Sequence, residues 1–410
     1  MDWVFSKWKP GRLQRWEFLL PPGSARETQT ELESAISSPY LPRTNFPKAN
    51  VFPEKFILEK ANFRQALEIL TRFPWVRDFR INLGKFYMSE DFSFSGLQES
   101  LRQASLLPNG WQIRFHPQSR GRAVASREEL QILWEEAYGK IPIDSTIGNF
   151  TELNALCVGE DLILSLSLAG EPLFKHGGFA PLSKSAPIRE DMARFLLSEL
   201  KKILPDPDAV LVPFAGSGTF VWESAFHIFG LGFPHYDRSY VFEDLGEFPI
   251  ATWEFLKRKI SETAINKTVI LWWNEKEADA ASYLRERGSR FQEFLEKQRS
   301  GLQPPTLASS EKDFFSLSPR EIWISLGKPA KIWMPLNPPY GLRIRQENVF
   351  DPYRQLAEIL KEWRKLPAEI AGFLLCPDEA SWSSFVRISG METKTVHVTH
   401  GGIDLRVIYF

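Results

Sequence analysis

A chain of 410 residues exceeds what one ordinary hydrophobic core organises, so two or three domains are expected, and a hydrophobic fraction of 43% supports folded structure throughout. Its 50 Lys and Arg balance 51 Asp and Glu, which excludes overall charge as the means of reaching nucleic acid or membrane and confines any such contact to a local patch. Cys157 and Cys376 have neither disulfide-framework nor metal-ligand spacing, and no apolar run has signal-peptide or bilayer-span length, so the expectation is a soluble cytoplasmic protein.

Residues 1–55 are rich in Pro, Ser and charge, with only short apolar runs, and read as an irregular lead-in. From Ala61, ANFRQALEILTRF spaces apolar residues at helical intervals; RINLGKFYMSEDF is strand-like and SGLQESLRQA helical. WQIRFHP and DLILSLSLAG alternate as strands do, with the helix SREELQILWEEAYG between them, so residues 56–171 are expected to form an α+β module. Over 172–410 the rhythm changes. The helix IREDMARFLLSELKKI, strand AVLVPF, loop AGSG, helix TFVWESAFHIF, strand VILWW, a long helix from about Glu277, strand KIWMPLN, helix DPYRQLAEILKEWRK and strand EIAGFLLCP follow one another. This alternation predicts an α/β domain with a Rossmann-like, doubly wound, mostly parallel sheet, and TKTVHVTHGG with IDLRVIYF predicts a terminal antiparallel hairpin. The stretch from about Ser300 to Ser310 is expected to be a surface loop. Fourteen Trp and 32 Phe are expected mainly to fill cores.

Two segments carry chemistry. Pro213-Phe214-Ala215-Gly216-Ser217-Gly218-Thr219 stands between an apolar strand and a helix, where glycines let the backbone turn tightly and a nucleotide-like ligand come close. A tight strand-to-helix turn with no ligand fits the same residues. Asn337-Pro338-Pro339-Tyr340 follows another apolar strand. An exocyclic amine of a nucleobase is a poor nucleophile because its lone pair is delocalised into the ring. The Asn337 side-chain carbonyl and the Pro338 backbone carbonyl can take its two hydrogens and turn the lone pair towards a methyl donor, while Tyr340 offers a face for stacking.

These motifs and their spacing resemble the class I S-adenosylmethionine-dependent methyltransferases with an N-terminal THUMP module, in particular the K/L-type guanine-N2 methyltransferases of large-subunit ribosomal RNA. LSLSLAGEPLFKHGGF and SAPIREDMARFLL resemble that family upstream of the motifs, and NFRQALEILTRF resembles a helix of its N-terminal part, so the likeness runs from about residue 55 to the end. The resemblance implies an irregular lead-in over 1–55, a THUMP-like RNA-binding domain over 56–171 and a methyltransferase domain over 172–410. It implies that Pro213, Ala215, Gly216, Ser217, Gly218 and Thr219 border the cofactor's methionine end, that Asp313 contacts its adenine, that Ala186, Pro187 and Glu190 cover it, and that Asn337 to Tyr340 hold the target base.

Three positions depart from the family pattern. Val212 stands where an Asp usually precedes the Pro, Asn274 stands where an acidic residue accepts the ribose hydroxyls, and Lys276 replaces a second acid. Exchanging a charged acceptor for an amide weakens binding by about 1–2 kcal/mol, which Glu275 or Glu277 restores after a one-residue shift. Trp111 to Arg127 carries Arg114, Arg120, Arg122 and Arg127 without an acid, a pattern suited to RNA phosphates although equally to a solvated loop. The segment with Trp3, Lys7, Trp8, Lys9, Arg12, Arg15 and Trp16 has similar character but no counterpart in the family. The six histidines show no metal spacing, and no metal is expected. The expected reaction is methyl transfer to guanine N2 in ribosomal RNA. The rivals are a DNA adenine-N6 or cytosine-N4 methyltransferase and an RNA-binding or assembly protein that keeps the fold with weakened catalysis.

Overall fold

The computed structural model describes residues 3–37, 48–140, 149–175, 188–235, 238–298, 301–339, 352–391 and 393–410. They fall into two compact units, one drawn from the stretches 1–20, 25–176 and 237–257, the other from 21–24, 177–236 and 258–410.

In the first unit the elements are β1 (Gln14–Leu19), α1 (Ala25–Ser37), β2 (Lys48–Phe52), β3 (Lys55–Ala61), α2 (Phe63–Arg72), β4 (Asp78–Tyr87), α3 (Leu97–Gln103), β5 (Trp111–Arg120), α4 (Arg127–Tyr138), β6 (Asn149–Val158) and β7 (Asp161–Ser167). The strands form one sheet in the order β2-β3-β1-β4-β7-β6-β5, antiparallel except between β5 and β6. Asn62 and Gln65 close a reciprocal capping box that starts α2 where the sequence predicts a helix, and Ser126 with Glu129 does the same for α4.

The expected irregular lead-in is corrected: β1, α1 and β2 lie within residues 1–55, and β1 is an interior strand. Trp16 and Phe18 are fully buried, and their rings lie 5.4 Å from Phe63 and 4.4 Å from Phe56 respectively. The apolar run of β1 is short, Pro10 and Pro22 on either side of it stand in turns, and charged residues occupy the exposed side of α1, so composition masks a strand that long-range pairing with β3 and β4 creates. Strands β3 and β6, likewise not singled out in the sequence, complete the sheet.

Residues from later in the chain finish this unit's core. Phe242 is fully buried, with ring centroids 6.3 Å from Phe79, 6.4 Å from Phe63 and 5.0 Å from Trp253. Its N–H donates to Leu168 O at 3.0 Å, and the Trp111 indole N–H donates to Asp244 at 2.7 Å.

Elements α5 (Glu190–Ile203), β8 (Ala209–Val212), α6 (Thr219–Ile228), α7 (Ile250–Ser261, which begins in the first unit's stretch), β9 (Ile270–Asn274), α8 (Ala278–Gln298), β10 (Thr306–Ser310), α9 (Pro319–Ser325), β11 (Lys331–Leu336), α10 (Pro352–Arg364), β12 (Glu369–Cys376), α11 (Glu379–Ser389), β13 (Lys394–His400) and β14 (Ile403–Tyr409) follow. The second unit's sheet runs β10-β9-β8-β11-β12-β14-β13, parallel from β10 to β12, with β14 antiparallel to both β12 and β13. This is the doubly wound sheet with a terminal antiparallel hairpin that the sequence predicts. The expected surface loop over 300–310 is corrected in part. Thr306–Ser310 form edge strand β10, paired in register with Ile270–Asn274, because β9 supplies the backbone partners that five small, polar-rich residues do not advertise.

From β8 the chain winds outward through β9 to β10, then returns to β11 on the other side of β8. The strand order therefore reverses between β8 and β11, and their carboxyl-end loops leave the same rim as neighbours, where open α/β sheets bind ligands.

Truncating Phe242 to Ala removes a ring from the first unit's core, and a loss of about 3–5 kcal/mol is expected, measured as a lowered denaturation midpoint. A change below about 1 kcal/mol, within the range of ordinary surface substitutions, would show that residues 238–257 only decorate this unit.

Candidate active site

The loop after β8 is held by its neighbours rather than by its own turn alone. Ala215 N–H donates to the Asn274 backbone carbonyl at 3.1 Å, and the Asn274 side-chain amide donates to Pro213 O at 3.2 Å. The end of β9 thus clamps the loop twice. Glu275 Oε2 accepts from Gly216 N–H at 2.8 Å and its Oε1 from Glu277 N–H at 3.0 Å, while Glu275 N–H donates to Ser310 O at 3.0 Å.

Both glycines have positive φ, but for different ends. At Gly216 (φ +54) an added Cβ would meet nothing within 4 Å, so this backbone is open to an approaching ligand. At Gly218 (φ +83) it would stand 2.3 Å from Leu284 and 2.7 Å from the Trp222 indole nitrogen, so the second glycine lets α6 pack against α8. Ser217 and Thr219 are buried, their hydroxyl oxygens 3.4 Å apart.

Asn337 and Pro338 directly follow β11. Pairing of β11 with β8 covers Ile332 and Trp333, whereas pairing with β12 continues through Leu336. Pro335, which has no N–H, stands where the β8 pairing has lapsed. Asn337 and the glycine loop thus each follow the carboxyl end of one of two neighbouring parallel strands. Asn337 is half-buried and Pro338 buried. Tyr340, Ala186 and Pro187 lie outside the described residues.

Two acceptors at this rim, Asn274 Oδ1 and Asn337 Oδ1, are buried without a hydrogen-bond partner among the described residues. An amide oxygen buried and unsatisfied costs about 1–3 kcal/mol, and a ligand bearing N–H or O–H groups removes that cost. Val212, where the family pattern has an acid, is an ordinary buried residue, 1% exposed, at the end of β8. Asp313 accepts from Phe315 N–H at 3.0 Å and caps the short 3-10 helix Phe314–Ser316, whose Phe314 and Phe315 rings meet Phe214 at 5.4 and 5.8 Å.

Behind the loop is a charged cluster of which the sequence pointed only to Glu190. Arg194 of α5 donates to Glu223 of α6 at 2.6 Å, both at most 3% exposed, and Arg189 makes a two-pronged contact with Asp191 at 3.0 Å. Arg287 of α8 is buried, its guanidinium 5.8 Å from the Trp222 ring and 5.6 Å from Tyr283. The available signal was a lone acid within the apolar run TFVWESAFHIF and a lone base within MARFLL, charges that a buried helix keeps only when paired. Burial, then the neighbouring Glu223, pushes the Glu190 carboxyl up to about 7. His227 is brought down to about 3, chiefly by burial.

In the first unit, Arg114 stacks over the Phe150 ring at 4.2 Å, opposite Glu152 in register. Arg120 and Arg127 line a concavity of about 480 Å³ with Phe115, His116, Pro117, Gln118, Ser119 and Gln131, and exposed Arg122 occupies the turn between β5 and α4. Among the described residues no carboxylate lines this concavity, which follows the outer edge of β5. Among the described residues no group of three or more His, Cys, Asp or Glu is placed to hold a metal ion, and no helix is long and apolar enough to cross a membrane.

No protein-family model matches the chain, and no curated protein matches it. Solved structures do. SMU.472, described as a methyltransferase and complexed with SAH, matches with a TM-score of 0.66 at 16% identity, over 97% of this chain and 98% of its own. A protein of Listeria monocytogenes described as a predicted N6-adenine-specific DNA methylase gives 0.62 at 17%, over 96% and 95%. TrmN from Thermus thermophilus gives 0.55 at 16%, over 97% and 98%. At such identities these likenesses establish the fold. The chain has a mixed α/β architecture whose second unit carries the class I methyltransferase fold, and the likeness extends along nearly its whole length.

A raised acid fixes a direction for stability against pH. Folded Glu190 keeps its proton to about pH 7, whereas the ordinary value is 4.5. Its contribution is therefore complete below about 4.5 and is lost as the pH rises through 7, at most about 1.4 kcal/mol for each pH unit in that interval. Glu190→Gln is expected to gain stability relative to the parent as the pH rises from about 4.5 to about 7, read from thermal melts; a pH-independent difference would contradict it.

Proposed function

We propose that this protein transfers the methyl group of S-adenosylmethionine to an exocyclic amine of a nucleobase, guanine N2 in large-subunit ribosomal RNA being the target. The observation that carries this reading is the adjacency at the switch point of the Gly216 loop and Asn337-Pro338, with an orphaned acceptor on each side. A ligand with hydroxyl and ammonium groups fits the glycine-loop side: Gly216 is open, Asn274 Oδ1 awaits a donor, and Glu275 sits one residue past the position where the family has its ribose-binding acid. Glu275 thus compensates for Asn274, and Glu190 covers the site from the start of α5. Asp313 borders the adenine side.

When bound, the cofactor supplies a methyl carbon activated by a positively charged sulfur. The chain's own contribution is orientation. Asn337 Oδ1 and the Pro338 carbonyl accept the two amine hydrogens, which turns the nitrogen lone pair out of conjugation and towards the methyl carbon. Pro338 and Pro339 hold this acceptor pair rigid, and Tyr340 stacks the base. The amine nitrogen would gain positive charge as it takes the methyl group, and Asn337 Oδ1 would stabilise that charge until the proton passes to solvent. Residues 56–171 serve as a THUMP-like RNA-binding domain, with Arg114, Arg120, Arg122 and Arg127 contacting phosphates along the β5 edge, where no acid among the described residues lines the concavity.

The DNA methylase reading rests on the same amine chemistry. Incubating the protein with labelled S-adenosylmethionine and either undermodified ribosomal RNA or duplex DNA separates the two. Label is expected in RNA, and Asn337→Ala is expected to reduce transfer at least about a hundredfold through lost orientation while cofactor affinity, measured by calorimetry, stays within a few-fold. Label confined to DNA, or an Asn337→Ala variant as active as the parent, would overturn the proposal. Absence of cofactor binding at millimolar concentration would favour the assembly-protein reading.

A further inference from the structure

The cations at the start of the chain belong to the first unit, outside the elements that form the candidate site. Their tryptophans are core residues: Trp3, Trp8 and Trp16 are 6%, 3% and 0% exposed. Trp8 packs edge-on to Phe63 at 4.8 Å and to Trp16 at 6.0 Å, and the Trp16 indole N–H donates to Ala61 O at 2.8 Å. The backbone is tied as well. Trp8 N–H donates to Ala104 O at 2.7 Å, Arg12 N–H to Lys9 O at 3.1 Å, and Phe63 N–H to Pro10 O at 3.0 Å. The turn over residues 8–12 is therefore a fixed part of the first unit, seated against the start of α2.

Burying the rings turns the intervening cations outward. Lys9 and Arg12 are exposed on this turn and Lys7 directly before it, and Lys60 and Arg64 are exposed on the segment to which Pro10 is bonded. Among the described residues none of the five has an ion-pair partner. The carboxylates flanking Lys60 and Arg64 in sequence are engaged elsewhere: Glu59 by Arg15 at 3.4 Å and Glu68 by Arg72 at 3.0 Å. In a chain whose charges otherwise balance, 50 against 51, like charges held on a rigid surface repel one another, and that repulsion is relieved by a polyanion.

We propose that Lys7, Lys9, Arg12, Lys60 and Arg64 form a second nucleic-acid contact that grips the phosphodiester backbone irrespective of sequence. This contact rests on the nucleic-acid reading proposed for the protein and is separate from the β5 arginines. Lys60 lies on β3, which in the sheet order stands five strands from β5, roughly 24 Å at the usual strand spacing. Phosphate contacts position a substrate rather than identify it, so the role of this rim is to set the register of a long RNA whose target base is read elsewhere. The segment offers a lipid surface little: Val4 and Leu13 are exposed singly, and residues 3–13 contain no helix with an apolar face to enter a bilayer.

The test uses the full chain and the triple variant Lys9→Glu, Arg12→Glu, Arg64→Glu, with Arg120→Glu, Arg127→Glu alongside. Binding of a labelled ribosomal RNA fragment, a duplex DNA of similar length and phosphatidylserine vesicles is followed over a series of salt concentrations. The triple variant is expected to melt like the parent, to bind RNA about tenfold or more weakly, and to show a salt slope shallower by about 2, since each lost phosphate contact removes roughly 0.7 on a single strand. An equal loss on duplex DNA supports a backbone grip shared by both polymers. RNA binding with the parent's affinity and slope would overturn the proposal, as would a loss confined to vesicles. Methyl transfer by the parent is scored separately: RNA binding that depends on the rim without any methyl transfer removes the catalytic reading and leaves this contact standing.

Discussion

Parallel pairing of β8 with β11 is the constraint on which the candidate site depends. Two strands far apart in sequence lie side by side and point the same way, so the loops that follow them must emerge on one rim. Neither loop has much meaning alone: a glycine turn is common, and so is a proline pair. Neighbouring parallel strands bring the two loops out on one rim, where Gly216 leaves its backbone open and Asn337 Oδ1 is buried without a partner among the described residues. Asn274 adds to this by clamping the glycine loop with both its backbone and its side chain.

Behind the rim, burial decides the electrostatics. Arg194 and Glu223 are tolerated inside because each neutralises the other at 2.6 Å. Glu190, at the start of α5, feels both its own burial and the field of Glu223, and so holds its proton far longer than an exposed acid. A carboxyl poised near neutrality is the kind of group that answers to the charge of whatever binds beside it.

In the first unit the same logic appears in another form. Aromatic residues that look, in sequence, like part of a basic nucleic-acid segment are drawn into the core by Phe63 and by the sheet. The cations between them are displayed as a consequence. A stretch from the second half of the chain, centred on Phe242, completes this core, so the unit's sequence is discontinuous.

Much of the second unit was legible in advance because short apolar strands alternating with amphipathic helices have few stable arrangements, and right-handed crossovers leave a parallel doubly wound sheet. The two loops could be picked out since Gly and Pro act locally, through φ and through a missing donor. What periodicity could not reveal were elements defined by partners: β1 in a polar lead-in, β10 in an apparent loop, and the Arg194–Glu223 pair, whose members are 29 residues apart. From the sequence alone follow the fold class, the strand-loop-helix order and the residue types at the rim, because these rest on interactions between near neighbours. Only the tertiary structure decided that Asn274 clamps Pro213, that Glu275 reaches Gly216, and that Trp8 and Trp16 are core while Lys9 and Arg12 are surface, because burial and long-range hydrogen bonds exist only once distant segments meet.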